Sequence, residues 1–172
     1  RVIGEVLVHR RNAYLYEQIV ADPARRRRLY RDLADDLAII EKHSGGDELV
    51  IGVLSACRGL IESFQREIAA VPRQRQRIAS RLGAVVGREN VLFDAFARVS
   101  HCTDATDWRL HLPLAVVMPT EEAQVAPLLT AIASLDLHAV PRGAGTGLTG
   151  GAVPLEPDCI VINTEKLDRI HG

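Results

Sequence analysis

The sequence is poor in aromatic residues and has no paired cysteines. Its 172 residues include one Trp, three Tyr and three Phe. The three cysteines, Cys57, Cys102 and Cys159, stand singly, without a Cys-x-x-Cys pair or a histidine spaced for zinc. We therefore expect three reduced thiols and no metal site.

Long apolar runs and an excess of charge of one sign are also missing. No run reaches the roughly 18 apolar residues that suggest a membrane-spanning helix. The formal net charge of −1 gives no reason to expect nucleic acid as a partner. The opening RVIGEVLVHRR lacks the layout of a signal peptide and begins with Arg, not Met. We therefore expect a cytoplasmic fragment of a longer protein, with peripheral membrane attachment of the full-length protein left open.

What the sequence does contain divides into two halves with different patterns, and the first half reads as helices. Across residues 1–90, apolar residues recur at helical spacing. Asp22 and Pro23 predict a helix start, and Asp47 predicts the N-cap of the next helix. Pro72 is expected to end that helix or to begin another. This half contains no residue pattern typical of a catalytic site.

The second half has the pattern of alternating strands and a helix. Short apolar runs predict strands at 115–119, 138–140 and 159–163, and helical spacing predicts a helix over 121–135. Thr120 is expected to cap that helix. The order strand, helix, strand, loop, strand favours parallel pairing. The fold class is therefore α+β, with a helical region followed by a small α/β layer.

The loop from Pro141 to Gly151 is the strongest functional signal in the chain. It has five glycines in eleven residues, so its backbone can adopt positive φ and approach a ligand closely. Successive N–H groups in such a turn can form a nest for phosphate oxygens. Thr146 and Thr149 add hydroxyl donors, and Arg142 adds a positive charge. The loop therefore predicts a phosphate site.

Two other kinds of nucleotide site also use glycine-rich loops. A Walker A loop requires a lysine, which this segment lacks. The run Gly145–Gly150 does satisfy G-x-G-x-x-G, but an NAD(P)-binding Rossmann module also requires a helix opening inside the motif. Pro154 and Pro157 argue against that helix, so a helix beginning at 147–150 is the discriminating observation. A third alternative is a non-catalytic helical interaction module.

Several spaced segments together resemble one known family. They are residues 113–122, the loop PRGAGTGLTGGAVP, the strand segment CIVINTEKLDRI, and the approaches at 82–92 and 104–107. Together they resemble the FAD-binding domain of the vanillyl-alcohol oxidase/p-cresol methylhydroxylase (PCMH-type) superfamily. The likeness is greatest to its glycolate oxidase and D-lactate dehydrogenase branch. It covers roughly residues 75–172, which implies a helical region at 1–90 and an incomplete N-terminal part of the flavin domain at 91–172.

The resemblance implies an FAD-dependent oxidoreductase. Its hydride donor would be a D-2-hydroxy acid such as lactate or glycolate, and both that substrate and an electron acceptor would be bound by parts missing from this chain. Thr146 matches the position where some relatives attach flavin through histidine, so non-covalent FAD is implied. No catalytic residue is assigned here. The implied cofactor-binding residues are Pro119, Pro141, Arg142, Gly143, Ala144, Gly145, Thr146, Gly147, Thr149, Gly150 and Gly151.

A few polar residues before the second strand invite a catalytic interpretation. His101, Asp104 and Asp107 lie close together in the sequence. Such residues usually cap helices and form turns through bonds to nearby backbone, and we expect that role. Trp108 is expected to fill an interface.

Overall fold

The structure is a computed structural model, and it describes residues 2–106 and 108–169. The chain divides into two compact units, residues 1–73 and 74–172. The expected functional boundary near residue 90 is a separate matter and stays a prediction.

Helices account for nearly all of residues 2–86, so the expected helical first half is confirmed. Their starts follow from capping residues: the side chains of Asn12 and Asp22 accept hydrogen bonds from amides of the following helices, and Asp47 Oδ1 accepts from Leu49 N at 2.8 Å. The helices are α1 (Val2–Arg11), α2 (Ala13–Ala21), α3 (Pro23–His43) and α4 (Glu48–Val86).

The expectation that Pro72 ends one helix or begins another is wrong, because α4 runs through it. Proline inside a helix removes one amide donor and costs roughly 3 kcal/mol. Buried side chains lie on both sides of it in the sequence, Ile68 and Val71 before it and Ile78 and Leu82 after it. Tertiary packing of these side chains outweighs the local cost, as it does for most helices in folded proteins.

Phe64 is fully buried in the core of the helical unit. The ring of Tyr30 meets it edge-on, with ring centroids 6.4 Å apart, and the guanidinium of Arg10 lies 5.5 Å from its centroid. Arg10 Nε also donates to Glu67 Oε2 at 2.8 Å. The buried residues of this core are Val2, Val6, Ile19, Leu33, Leu37, Leu54, Cys57, Ile61, Phe64 and Ile68.

The second unit is built on a mixed sheet in the order β1-β2-β4-β3. Strands β2 and β3 both pair with β4 in parallel, and β1 pairs antiparallel with β2. The three strands expected from the sequence are confirmed, with bounds that differ by up to two residues. The two-residue strand β1 was not expected, because so short a run carries no periodic signal. The strands are β1 (Val91–Leu92), β2 (Ala115–Val117), β3 (His138–Arg142) and β4 (Cys159–Asn163).

The helix after β2 begins later than expected, and Thr120 does not cap it. A 3₁₀ turn, Glu122–Gln124, comes first, and α6 (Val125–Ala133) follows. Glu121 is the N-cap of the turn and forms a capping box with Gln124. Thr120 donates its amide to Gln124 Oε1 at 2.8 Å. The side chain of Gln124 therefore accepts from the amides of both Thr120 and Glu121, which is the reciprocal half of a capping box.

Helices cover both faces of the sheet: α6 and the last turns of α4 pack on one face, and a short helix packs on the other. Ala115 and Val117 of β2 pack in one cluster with Leu128 and Ile132 of α6, which confirms the expected helix packing. Val116, between them in the strand, points to the opposite face and packs with Val161 of β4 and Ala97. Ala97 belongs to α5 (Ala95–Ser100). Both faces are therefore buried, as is usual for parallel strands.

Two adjacent leucines of α6 test this packing. Leu128 is fully buried, whereas Leu129 is 46% exposed. We expect Leu128→Ala to lower the free energy of unfolding of this unit by about 2–5 kcal/mol. Leu129→Ala should change it by less than about 0.5 kcal/mol. Urea titration followed by the fluorescence of Trp108, the only tryptophan, measures both. Equal losses would contradict the packing described here.

Candidate nucleotide-binding loop

Three strand ends come together at one edge of the sheet. Because β2, β3 and β4 are mutually parallel, their carboxyl ends share that edge, which is where open α/β sheets bind ligands. The chain leaves β3 after Arg142, and Pro119 follows β2 and is buried. Strand β4 lies between β2 and β3, so the two ends are about 10 Å apart. The edge suits an extended ligand.

The glycine-rich segment after β3 forms no helix. Residues 143–151 consist of bends, turns and unassigned backbone. The run Gly145–Gly150 therefore lacks the helix that a Rossmann pyrophosphate site requires. This observation removes the main support for the NAD(P) alternative.

The amides of residues 143–149 point to no acceptor within the described part of the chain. The backbone hydrogen bonds nearest to them are Thr164 N to Arg142 O at 2.9 Å, before the run, and Val153 N to Gly150 O at 3.1 Å, after it. All of these residues except Gly145 are exposed. Since backbone N–H groups require a partner, this row of donors is open to water or to an anion.

Two glycines have conformations that other residues rarely adopt. Gly145 has φ +70 and Gly150 has φ +75. A Cβ on Gly145 would collide with the guanidinium of Arg142, and a Cβ on Gly150 would lie 3.2 Å from Cε3 of Trp108. Both positions therefore require glycine, for the backbone conformation and for the close approach.

Arg142 is engaged within the protein. Its guanidinium donates to the carbonyl oxygen of Thr103 and lies beside Gly145. The positive charge is thus held next to the loop, at a fixed place. Sequence reasoning could not identify Thr103 as its partner, because the two residues are 39 positions apart.

Asp104 is a buried carboxylate under the same loop, with 8% of its surface exposed. Its Oδ1 accepts from the amide of Thr106 at 2.9 Å and from the Thr106 hydroxyl. The Thr106 hydroxyl and amide are the main causes that lower the pKa of Asp104, and the amides of Ala152 and Gly150 add to the effect. Asp104 is therefore a turn residue, as expected, but it also faces the loop.

The second oxygen of Asp104 has no hydrogen-bond partner within the described residues. Oδ2 is buried and unpaired. It lies 4.0 Å from the position that a Cβ on Gly147 would occupy. The amides of Ala152 and Gly150 are near enough to lower the pKa without reaching hydrogen-bond geometry.

His101 is bound to the end of β4. Its Nδ1 lies 2.8 Å from the carbonyl oxygen of Ala97, and its Nε2 lies 2.7 Å from Asn163 Nδ2. A carbonyl only accepts and an amide nitrogen only donates, so the ring carries its proton on Nδ1 and accepts at Nε2. His101 therefore positions Asn163, which is 2% exposed. Asp107 lies outside the described residues.

Trp108 is 56% exposed, and its ring lies beside Gly150, where an added Cβ would come within 3.2 Å of it. Burial raises the pKa of the Cys102 thiol, whereas Arg109 and Arg142 lower it. Cys57, Cys102 and Cys159 are all buried free thiols.

Within the described residues, no cluster of His, Cys, Asp and Glu is suited to a metal ion, and no helix is both long and apolar enough to cross a membrane.

A separate cavity of about 360 Å³ lies in the helical unit. Its lining is apolar apart from the carboxylate of Asp36, and includes Leu37, Val53, Leu54 and Cys57. It has no donor set resembling that of the glycine loop.

Comparison with known proteins gives two family matches. Residues 1–66 match a protein of unknown function (DUF3683), and residues 113–172 match the FAD-binding domain family. The second match contains β2, β4 and the whole glycine loop.

Three curated relatives match stretches of different length in the chain. A glycolate oxidase subunit GlcD of Escherichia coli (strain K12) is 46% identical over 50 residues, which is 29% of this chain and 10% of the relative. The GlcD subunit of Bacillus subtilis (strain 168) is 31% identical over 85 residues, 49% of this chain and 18% of the relative. A probable mitochondrial D-lactate dehydrogenase of Danio rerio is 32% identical over 112 residues, which is 65% of this chain and 22% of the relative. The chain thus spans at most about a fifth of these relatives.

Solved structures resemble the chain over about half its length. Substrate-bound p-cresol methylhydroxylase matches with a TM-score of 0.48 and 20% identity, covering 56% of this chain and 19% of that chain. A 4-ethylphenol oxidase from Gulosibacter chungangensis matches with a TM-score of 0.48 and 18% identity, covering 57% of this chain and 20% of that chain.

Proposed function

We propose, on the premise that residues 113–172 belong to the FAD-binding domain family that they match, that the loop after β3 holds the pyrophosphate of FAD in an oxidoreductase. The observation that carries the proposal is the row of open amides at 143–149. A pyrophosphate carries two negative charges and needs many donors at short range. Converging amides supply them without the side-chain entropy that long basic residues lose, on the order of 1–2 kcal/mol each.

The residues present fit the cofactor. The loop offers open amides from Gly143 onward, and the exposed hydroxyls of Thr146 and Thr149 lie in the same segment. Gly145 adopts a conformation that lets the backbone approach a phosphate closely. The proposed contact set comprises Pro119, Pro141, Arg142, Gly143, Ala144, Gly145, Thr146, Gly147, Thr149, Gly150 and Gly151.

Bound FAD supplies the hydride-accepting chemistry, and this chain supplies binding and orientation. The loop fixes the pyrophosphate at the carboxyl edge of the sheet, and buried Pro119 limits the space beside β2. Threonine at position 146 has no imidazole to bond to the flavin, so the cofactor is held without a covalent link.

The substrate class belongs to the proposal as well. Two relatives are named as glycolate oxidase subunits and one as a probable D-lactate dehydrogenase. Glycolate and lactate are both 2-hydroxy acids, so we propose a D-2-hydroxy acid as hydride donor. The residues that bind this substrate and the electron acceptor would lie outside the chain, and residues 1–90 would form a separate helical region.

A glycine substitution tests the loop. In the full-length protein, Gly145→Val should abolish FAD retention, because a side chain at positive φ strains the turn by roughly 1–2 kcal/mol and collides with Arg142. The matched control is Gly46→Val. Gly46 has φ +84 and open space around it, so that variant suffers the same backbone strain in a different unit. FAD titration of the refolded apoproteins measures both. Equal loss of affinity in the control would reject the loop as the site.

An arginine substitution separates backbone from side-chain binding. Arg142→Ala should weaken FAD binding by about 1–2 kcal/mol, the range of one charge-assisted hydrogen bond. This loss is smaller than that expected for Gly145→Val, because the guanidinium is already bonded to Thr103. The same titration gives the comparison. A larger loss in the arginine variant would show that the side chain, not the backbone, dominates affinity.

Two measurements on the full-length protein test the cofactor linkage and the substrate. Acid precipitation should release the yellow cofactor into the supernatant, and flavin left in the pellet would contradict non-covalent binding. Anaerobic D-lactate or glycolate should bleach the long-wavelength absorption band of the flavin, whereas L-lactate should do so far more slowly. A flavin that is reduced by neither D-lactate nor glycolate would overturn the proposed substrate class.

A further inference from the structure

The segment 103–106 touches the glycine loop at both ends. The carbonyl of Thr103 accepts from Arg142, the residue at which the loop leaves β3. The next residue, Asp104, faces the far end, near Gly150 and Ala152. A short stretch on the other side of β2 in the sequence therefore brackets the loop.

The two parts of the loop differ in how they are held. Residues 143–149 are mostly exposed, and their amides have no acceptor in the described structure. From Gly150 onward the chain is tied down: Gly150, Val153 and Pro154 are buried, and Val153 N donates to Gly150 O at 3.1 Å. The exposed part of the loop therefore gives way to the buried part at Gly150, the residue that Asp104 faces.

Asp104 is itself an unusual group to find there. It is more than nine-tenths buried, and its Oδ2 has no partner among the described residues. A buried carboxylate oxygen is costly unless donors face it. Its Oδ1 is fixed by the amide and hydroxyl of Thr106, which directs Oδ2 toward Gly147. Nearby amides at Gly150 and Ala152 are the donors available to it.

We propose that Asp104 is a positioning residue that acts as an internal anion for the loop. Its carboxylate holds the segment around Gly150 and Ala152, so that the amides of 143–149 face outward for an external diphosphate. The loop thus serves two anions, one built into the protein and one supplied by the ligand. This inference rests on the proposed function for the identity of the ligand, but its first test does not.

The first test is amide hydrogen exchange of the apoprotein, full-length, as wild type and Asp104→Asn. The asparagine keeps the size and can still accept from Thr106, but it places an NH₂ group where Oδ2 faced the amides. Exchange of the Val153 amide, which donates to Gly150 O at 3.1 Å, should rise about tenfold as the segment loosens, while α6 is unchanged. The matched control is Asp94→Asn, because Asp94 caps α5 through Ala97 N at 2.9 Å and asparagine caps equally well. Unchanged exchange at Val153 overturns the proposal, whatever the protein binds.

The second test separates positioning from direct contact with the cofactor. Dissociation constants are measured for FAD and, by competition, for ADP, which shares the diphosphate but lacks the flavin. Asp104→Asn should weaken both about tenfold or more and by similar factors, whereas Asp94→Asn should alter neither. Loss confined to FAD would mean that Asp104 touches the flavin half, which overturns the positioning role.

A rescue experiment provides the readout that a purely structural defect would not give. In Asp104→Gly, added formate should restore most of the lost ADP affinity, since it returns a carboxylate to the vacated space, and chloride should not. Absence of rescue in a variant that folds, judged by its circular dichroism, counts against the internal anion. Wild-type protein that binds neither FAD nor ADP would refute the proposed function, and the hydrogen-exchange result would then decide the role of Asp104 alone.

Discussion

The second unit depends on a constraint that applies to every peptide group: a backbone N–H must be paired with an acceptor or exposed to water. Strand β4 meets it completely, because it lies between two parallel partners and its residues are buried from Cys159 to Asn163. The residues that follow β3 do not, because the chain leaves the sheet there and forms neither strand nor helix. The regular, fully paired layer thus fixes the place where unpaired donors are presented. Without the paired strands on which it is mounted, the glycine-rich segment would be a disordered run.

Side-chain size differs between the faces of the sheet and its carboxyl edge, and so does the role of the residues in each place. The alternation of Ala115, Val116 and Val117 sends successive side chains to opposite helices. At the carboxyl edge, small residues replace large ones and the backbone itself becomes the surface. Polar side chains occur there mostly as supports, as His101 does for Asn163. A site built from backbone amides needs few charged residues, and Arg142 is the one charged residue in the sequence of residues 141–151.

Local patterns predicted the parts of the molecule that local physics controls. The caps at Asp22 and Asp47, the three longer strands and the glycine loop all follow from residues a few positions apart, and each was expected. The errors have non-local causes. Pro72 remains helical because the burial of side chains on either side of it outweighs the lost hydrogen bond. Thr120 does not cap the helix because the side chain of Gln124 accepts the Thr120 amide instead. Thr103, the partner of Arg142, is 39 positions away, and the amides near Asp104 belong to the distant residues Gly150 and Ala152. No periodicity could reveal these neighbours, and the short Asp-x-Thr turn was the available signal.

A site made of peptide groups also has a characteristic response to its surroundings. Backbone amides carry partial charge but no net charge and do not titrate, so their attraction for an anion acts over a few ångströms and is indifferent to pH in the physiological range. Long-range attraction that concentrates an anionic ligand near a lysine-rich groove is therefore weak here. Capture of a diphosphate would rely on close fit after random encounter, and its rate should depend little on ionic strength.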